Sequence, residues 1–157
     1  MEKEVLKMKI VIVSGYFNPL HGGHLDMIEA AKKMGDKLIV IVNNDKQQIL
    51  KKGKIILDEE NRCRLMGALR DVDRVYLSTD DYQLSSGEIP IINTLKTIAD
   101  TYRHEELIFA NGGDRGKDNI PESDVCNEYG IKLAFGVGGD VKTDSSTRIN
   151  KETGNEQ

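Results

Sequence analysis

The sequence predicts an open α/β domain, doubly wound about a parallel sheet of five strands. Three observations carry this. Short β-branched runs recur along the chain, patterns with helical spacing separate them, and the two strongest runs are apolar at consecutive positions instead of alternate ones. A strand that is apolar on both faces is covered on both faces, the condition of a parallel sheet held between helices.

The elements follow in order. "MKIVIV" (Met8–Val13) is the first strand, and Leu25, Ile28, Ala31 and Met34 trace one face of the helix after it. "KLIVIV" (Lys37–Val42) is the second strand. Asn43–Glu60 then reads as a long, lysine-rich connection around Gly53, of a length that is usually functional or mobile. Leu65, Met66 and Leu69 mark a second helix, and "RVYLS" (Arg74–Ser78) a third strand. Thr79–Pro90 is a polar loop broken by Gly87 and Pro90. Ile91, Ile92, Leu95 and Ile98 trace another helix, and "ELIFA" (Glu106–Ala110) and "IKLAF" (Ile131–Phe135) complete the strands. Right-handed crossovers between such strands leave the ligand crevice beyond their carboxyl ends.

A chain of 157 residues is most simply one domain, taken here as residues 1–149, with a polar tail from 150 to 157. Its longest apolar runs fall far short of the roughly 20 residues that span a bilayer, and no apolar segment of a leader follows Met1–Lys9. Cys63 and Cys126 lack a nearby partner and read as free thiols in a reducing, cytoplasmic setting. A net charge of −4 argues against a general nucleic-acid binder but leaves room for a local basic pocket. Nothing in the composition excludes a homodimer.

Chemistry concentrates at one corner. In "VSGYFNPLHGGHLDMIEAAKKM" (Val13–Met34), two of the three histidines in the chain, His21 and His24, stand where the first strand gives way to a helix. Gly15 ends the strand where a backbone can approach a ligand, and Gly22 and Gly23 free the backbone just before the helix. The first amides of a helix lack internal partners and, with the helix dipole, favour anions. His21 and His24 can donate hydrogen bonds to phosphate oxygens there, and as imidazolium can stabilise charge developing on a phosphoryl group. A zinc site and a purely structural turn remain alternatives at this point.

"GYFNPLHGGH" (Gly15–His24) resembles the GxFDxxHxGH signature of the cytidylyltransferase-like nucleotidyltransferases. Three further stretches fit the same pattern in order. "NRCRLMGALRDVDRV" (Asn61–Val75) resembles the arginine-bearing helix and the V-D-x-V opening of a strand. "ANGGDRGKD" (Ala110–Asp118) resembles the glycine-aspartate turn after the fourth strand, and "TDSSTRI" (Thr143–Ile149) the hydroxyl-rich start of the last helix. Within the superfamily the chain resembles glycerol-3-phosphate and phosphonate cytidylyltransferases and the adenylyltransferase domains that act on heptose phosphates. That resemblance implies a single Rossmann-like domain and attack of a phosphate-bearing acceptor on the α-phosphorus of a nucleoside triphosphate, releasing pyrophosphate.

It also implies roles. His21 and His24 would contact the triphosphate in the transition state, Arg62 would meet the phosphates with Arg64 as its neighbour in register, and Lys52, beside Lys51 and Lys54, would close over them. Gly15, Tyr16, Phe17, Asn18 and Gly23 would form the nucleotide corner, Gly113, Asp114 and Arg115 the nucleoside pocket, and Ser145, Ser146 and Thr147 the cradle of the outer phosphates. No protein-held metal is expected; Mg²⁺ would arrive with the triphosphate. Asn18 stands in place of the signature aspartate, and Asp144 where an apolar residue is common. The favoured reading is transfer of CMP from CTP to a small phosphate- or phosphonate-bearing acceptor, with the Thr79–Pro90 loop selecting it. The alternatives are transfer of AMP from ATP to a sugar phosphate and a non-catalytic nucleotide-binding module. A synthetase fragment acting on tRNA is disfavoured by the charge and by the lack of a KMSKS-like segment near the carboxyl end.

Overall fold

The computed structural model describes residues 7–112 and 120–138. The order of elements is β1 (Lys9–Gly15), α1 (Gly22–Lys32), β2 (Lys37–Val42), α2 (Asp45–Lys52), α3 (Glu59–Gly67), β3 (Arg74–Leu77), α4 (Ile92–Thr101), β4 (Glu106–Gly112), α5 (Ser123–Tyr129) and β5 (Lys132–Val137). The five strands form one sheet in the order β3-β2-β1-β4-β5, with every pairing parallel. The chain therefore reverses its direction of travel across the sheet between β1 and β4, the switch point at which open α/β folds bind their ligands.

The consecutive apolar residues of β1 and β2 serve two cores. Ile10, Ile12, Ile39 and Ile41 join Leu95 and Ile98 of α4 and Val125 and Cys126 of α5. Val11, Val13, Leu38, Val40 and Val42 join Ile28 and Ala31 of α1 and Met66 of α3 on the opposite face. Side chains that alternate across a strand require such runs when both faces are dry. Both cysteines are free, and burial, reinforced by Glu122, pushes the Cys126 thiol up to about 12, so it is an inert core residue.

The connection Asn43–Glu60 differs from its expected form as one long loop. It holds a helix, α2, whose N-cap Asn44 accepts from the Gln47 amide while the Gln47 side chain accepts from the Asn44 amide. Gly53 ends the helix with φ 71, the left-handed cap that glycine adopts without strain. A search for apolar periodicity passes over α2 because its buried residues are Gln47 and Gln48. Gln47 is admitted to the interior by its bonds, donating to Pro90 O and accepting from Asn43 Nδ2.

At the amino edge of the sheet, the Asp of the V-D-x-V stretch ties three elements together. Asp73 accepts from the Leu38 amide at 2.8 Å and from Lys32 Nζ at 2.5 Å, while its own amide donates to Leu38 O. Partial burial alone would raise its carboxyl; the Lys32 and Leu38 hydrogen bonds and the nearby lysine charges outweigh that and hold it below the usual range. A folded value below the unfolded one gives stability that is present above the unfolded pKa and is lost as pH falls through the folded one. Asp73→Asn should therefore lower stability by about 1 kcal/mol at neutral pH, with the gap to the parent closing under acid. Parallel denaturant titrations at pH 7 and pH 3 measure it, and a gap that is equal at both would refute the assignment.

Candidate active site

The corner between β1 and α1 is built around an aromatic ring. Phe17 has φ 52, a left-handed conformation uncommon for a bulky residue, and its side chain turns back beneath the strand end. Gly15 is needed for that ring: a Cβ there would lie 2.8 Å from Phe17 Cζ. Gly15 thus gives room to a neighbour in its own chain, and a positive φ is not its reason. The Asn18–Pro19 peptide bond is cis.

His21 is the N-cap of α1. Its Nδ1 accepts from the Gly23 amide at 3.1 Å, and His24 Nδ1 accepts from the His21 amide at 3.2 Å, a capping box made from two imidazoles. The rings stack with centroids 3.7 Å apart and 23° between planes, and the Phe17 and His24 rings meet edge-to-face with centroids 4.9 Å apart. An Nδ1 that accepts from an amide puts the proton of the neutral ring on Nε2. Both histidines are therefore arranged as neutral Nε2–H donors. The expected imidazolium would have to give up both cap bonds, since Nδ1 is the acceptor in each. The cap and the expected hydrogen bonds to a phosphate would use different nitrogens of each ring, so the one does not exclude the other.

The helix starts differ in what they offer an anion. α2, α3 and α5 carry Asp45, Glu59 with Glu60, and Asp124 in their first turns, and the α4 amides of Asn93 and Thr94 are taken by the carboxylate of Asp80. The first turn of α1 has no acidic residue. Among the described helices, α1 is the one capped by an imidazole where the others carry or accept a carboxylate, which leaves its start the better suited to an anion.

Arg62 does not line this cleft as expected. Its side chain is 0% exposed and lies under the corner, where Nε donates to Leu57 O, Nη1 to both Tyr16 O and Asn43 O, and Nη2 to Asp45 Oδ1 at 2.7 Å. The ladder between β1 and β2 ends with the Asn43 amide on Gly15 O, and the guanidinium supplies the next carbonyls of both strands. Arg64 is exposed on α3. Two more expected nucleotide contacts are buried. Phe17 is 2% exposed in the core, and Asn18 is 4% exposed, its Oδ1 accepting from the Ile56 and Leu57 amides. That pair of amides fixes the side chain that stands at the signature's aspartate position.

Tyr16 and Lys51 meet beside the same corner, with Lys51 Nζ 4.3 Å from the ring centroid. Lys52 and Lys54 are exposed in and just after the last turn of α2. Gly113, Asp114, Arg115, Asp144, Ser145, Ser146, Thr147 and Arg148 lie outside the described residues. Sequence reasoning missed Asp45 as the counter-charge of Arg62 and Asp80 as the cap of α4; the N-x-x-Q spacing of Asn44 and Gln47 was the signal for α2. Among the described residues no group of three or more His, Cys, Asp or Glu side chains could hold a metal ion. Asp45, the acidic residue just past β2, is committed to Arg62. These residues do not fit a protein-held metal.

A family model for cytidylyltransferase-like proteins matches residues 12–156. The chain belongs to the cytidylyltransferase-like family. It is 35% identical over 129 residues to the bifunctional protein HldE of Gluconobacter oxydans (strain 621H), a match covering 81% of the chain. It is 39% identical over 114 residues, 68% of the chain, to HldE of Haemophilus influenzae (strain PittEE). Each match spans 24% of that relative's length. Among solved structures, the lipopolysaccharide core biosynthesis protein from Thermoplasma volcanium GSS1 superposes with a TM-score of 0.61 at 28% identity, covering 87% of this chain and 99% of that one. The family's nucleotidyltransferase fold is thus the fold described above. Among the described residues no helix is long and apolar enough to cross a membrane.

Proposed function

We propose that this domain transfers AMP from ATP to a sugar phosphate, releasing pyrophosphate. The observation that carries the reading is the pair of stacked imidazoles at the start of α1, each with Nδ1 held by an amide and Nε2–H as its donor. An acceptor phosphate oxygen, already anionic at neutral pH, attacks the α-phosphorus, and the bond to the bridging oxygen of the β-phosphate breaks. The two Nε2–H groups and the positive helix end stabilise charge on the phosphoryl oxygens, so no general base is required. Lys51, held over Tyr16, and Lys52 supply positive charge from α2. Ser145, Ser146 and Thr147 are assigned to the outer phosphates, and Gly113, Asp114 and Arg115 to the nucleoside, on the sequence resemblance. Mg²⁺, carried in on the triphosphate, would supply counter-charge.

The choice of AMP over CMP rests on the HldE relatives together with the resemblance to heptose-phosphate adenylyltransferase domains. Pyrophosphate release tests it, with ATP and CTP each offered heptose 1-phosphate, glycerol 3-phosphate and a small phosphonate. Release is expected from ATP with the heptose phosphate; release from CTP alone would overturn the base assignment. A melting temperature raised by ATP, corresponding to about 2.7 kcal/mol at one hundred times Kd, with no release from any pair, would favour a binding module instead.

A further inference from the structure

We propose that Arg62 is a positioning residue for His24, acting through the backbone of Tyr16 and the ring of Phe17; the inference rests on the nucleotidyl-transfer reading above. A non-glycine residue with φ 52 persists only when its surroundings over-determine it. At Phe17 three constraints converge. Arg62 Nη1 holds the carbonyl of the preceding residue, Tyr16, at 2.8 Å. The missing Cβ of Gly15 admits the ring, and Asn18, the following residue, is fixed by the Ile56 and Leu57 amides. The ring so placed meets His24 in an edge-to-face contact, and His24 in turn stacks on His21.

Arg62 is suited to this and lysine is not. Its Nη1 donates to carbonyls of both strand ends at once, while Leu57 O on Nε and Asp45 Oδ1 on Nη2 fix the plane of the guanidinium. An ammonium is one atom on a flexible stem, with no plane for Leu57 O and Asp45 Oδ1 to fix, so it is not held where Nη1 meets both Tyr16 O and Asn43 O. Releasing Tyr16 O frees the left-handed turn to relax, and Phe17 then moves away from His24. The catalytic imidazole loses the surface that fixes its plane, although Arg62 touches no substrate.

The test uses the full chain and the His Cε1–H resonances, of which the sequence allows three: His21, His24 and His104. His104 is exposed between α4 and β4, at the opposite edge of the sheet, and serves as the reference. In Arg62→Lys the His24 resonance is expected to shift, because its position relative to the Phe17 ring changes, while His104 stays. Turnover of the folded variant should fall by about 10²-fold, the scale of a small misplacement of a catalytic group, with KM for the triphosphate changing less. Asp45→Asn, which loosens one arm of the fork at a partly exposed residue, should shift the same resonance in the same direction by less, and it decides the matter if Arg62→Lys does not fold. A lowered melting temperature with His24 at its parent position would overturn the proposal, leaving Arg62 a structural brace. Should the parent release no pyrophosphate with any acceptor, the functional reading fails, and the resonance measurement still judges the link from Arg62 to His24.

Discussion

Replacing His24 with alanine is expected to lower turnover by about 10²–10³-fold, the loss that follows removal of one preorganised donor from a developing oxyanion. The fold should stand. His24 is only partly buried, and the bond it gives up, from the His21 amide to Nδ1, is at a helix start within reach of water. His21→Ala should match that loss of turnover and add a loss of stability, because His21 is also the N-cap that accepts from the Gly23 amide. Losing such a cap costs about 1 kcal/mol. His21→Asn separates the two roles, since asparagine can cap but presents no imidazole. It should recover the melting temperature and leave turnover low. Steady-state pyrophosphate release and thermal unfolding on the three variants make the comparison. Near-parent turnover in either alanine variant would remove that histidine from the mechanism.

Asp80→Ala should cost about 3 kcal/mol of stability, since it strips several charge-assisted hydrogen bonds from a buried site. The carboxylate is 1% exposed and accepts from the Asn93 amide, the Thr94 amide and Thr94 Oγ1. Helix α4 has no cap from its own N-cap residue, Ile91, so its first turn depends on this remote carboxylate. Asp80 also holds the start of the Thr79–Pro90 loop, its carbonyl accepting from Asn44 Nδ2 at 2.7 Å. Asp80→Asn keeps the shape, loses the charge opposite the helix dipole, and should fall between parent and alanine. Denaturant unfolding measures all three. A loss under about 1 kcal/mol, the net worth of one ordinary hydrogen bond, would mean that α4 does not depend on Asp80.

The order of the strands and of helices α1, α3 and α4 is legible in hydrophobic spacing, and the two-faced burial of β1 and β2 in their unbroken apolar runs. The corner is legible in the crowding of Gly15, His21, Gly22, Gly23 and His24 around the end of β1. Helix α2 is not, because its buried face is made of glutamines that enter the core through hydrogen bonds. Arg62 stands out by its position, but its surroundings do not follow from it. A charged residue on a helix reads as solvent-facing unless its partners are known, and these lie 46, 19 and 17 residues away in the chain.

The sequence by itself therefore determined the class of fold, the order of its strands and the sheet edge at which the histidine corner stands. Those depend on local periodicity and on which residue types share a turn, and both are written in consecutive residues. Only the tertiary structure decided which polar groups face the cleft and which hold it in shape. Phe17 and Asn18 sit in the signature itself yet are buried beneath it, and the two histidines prove to form the capping box of α1. A buried polar side chain is settled by where its hydrogen-bond partners come to rest, and folding alone brings Tyr16, Asn43, Asp45 and Leu57 around one guanidinium.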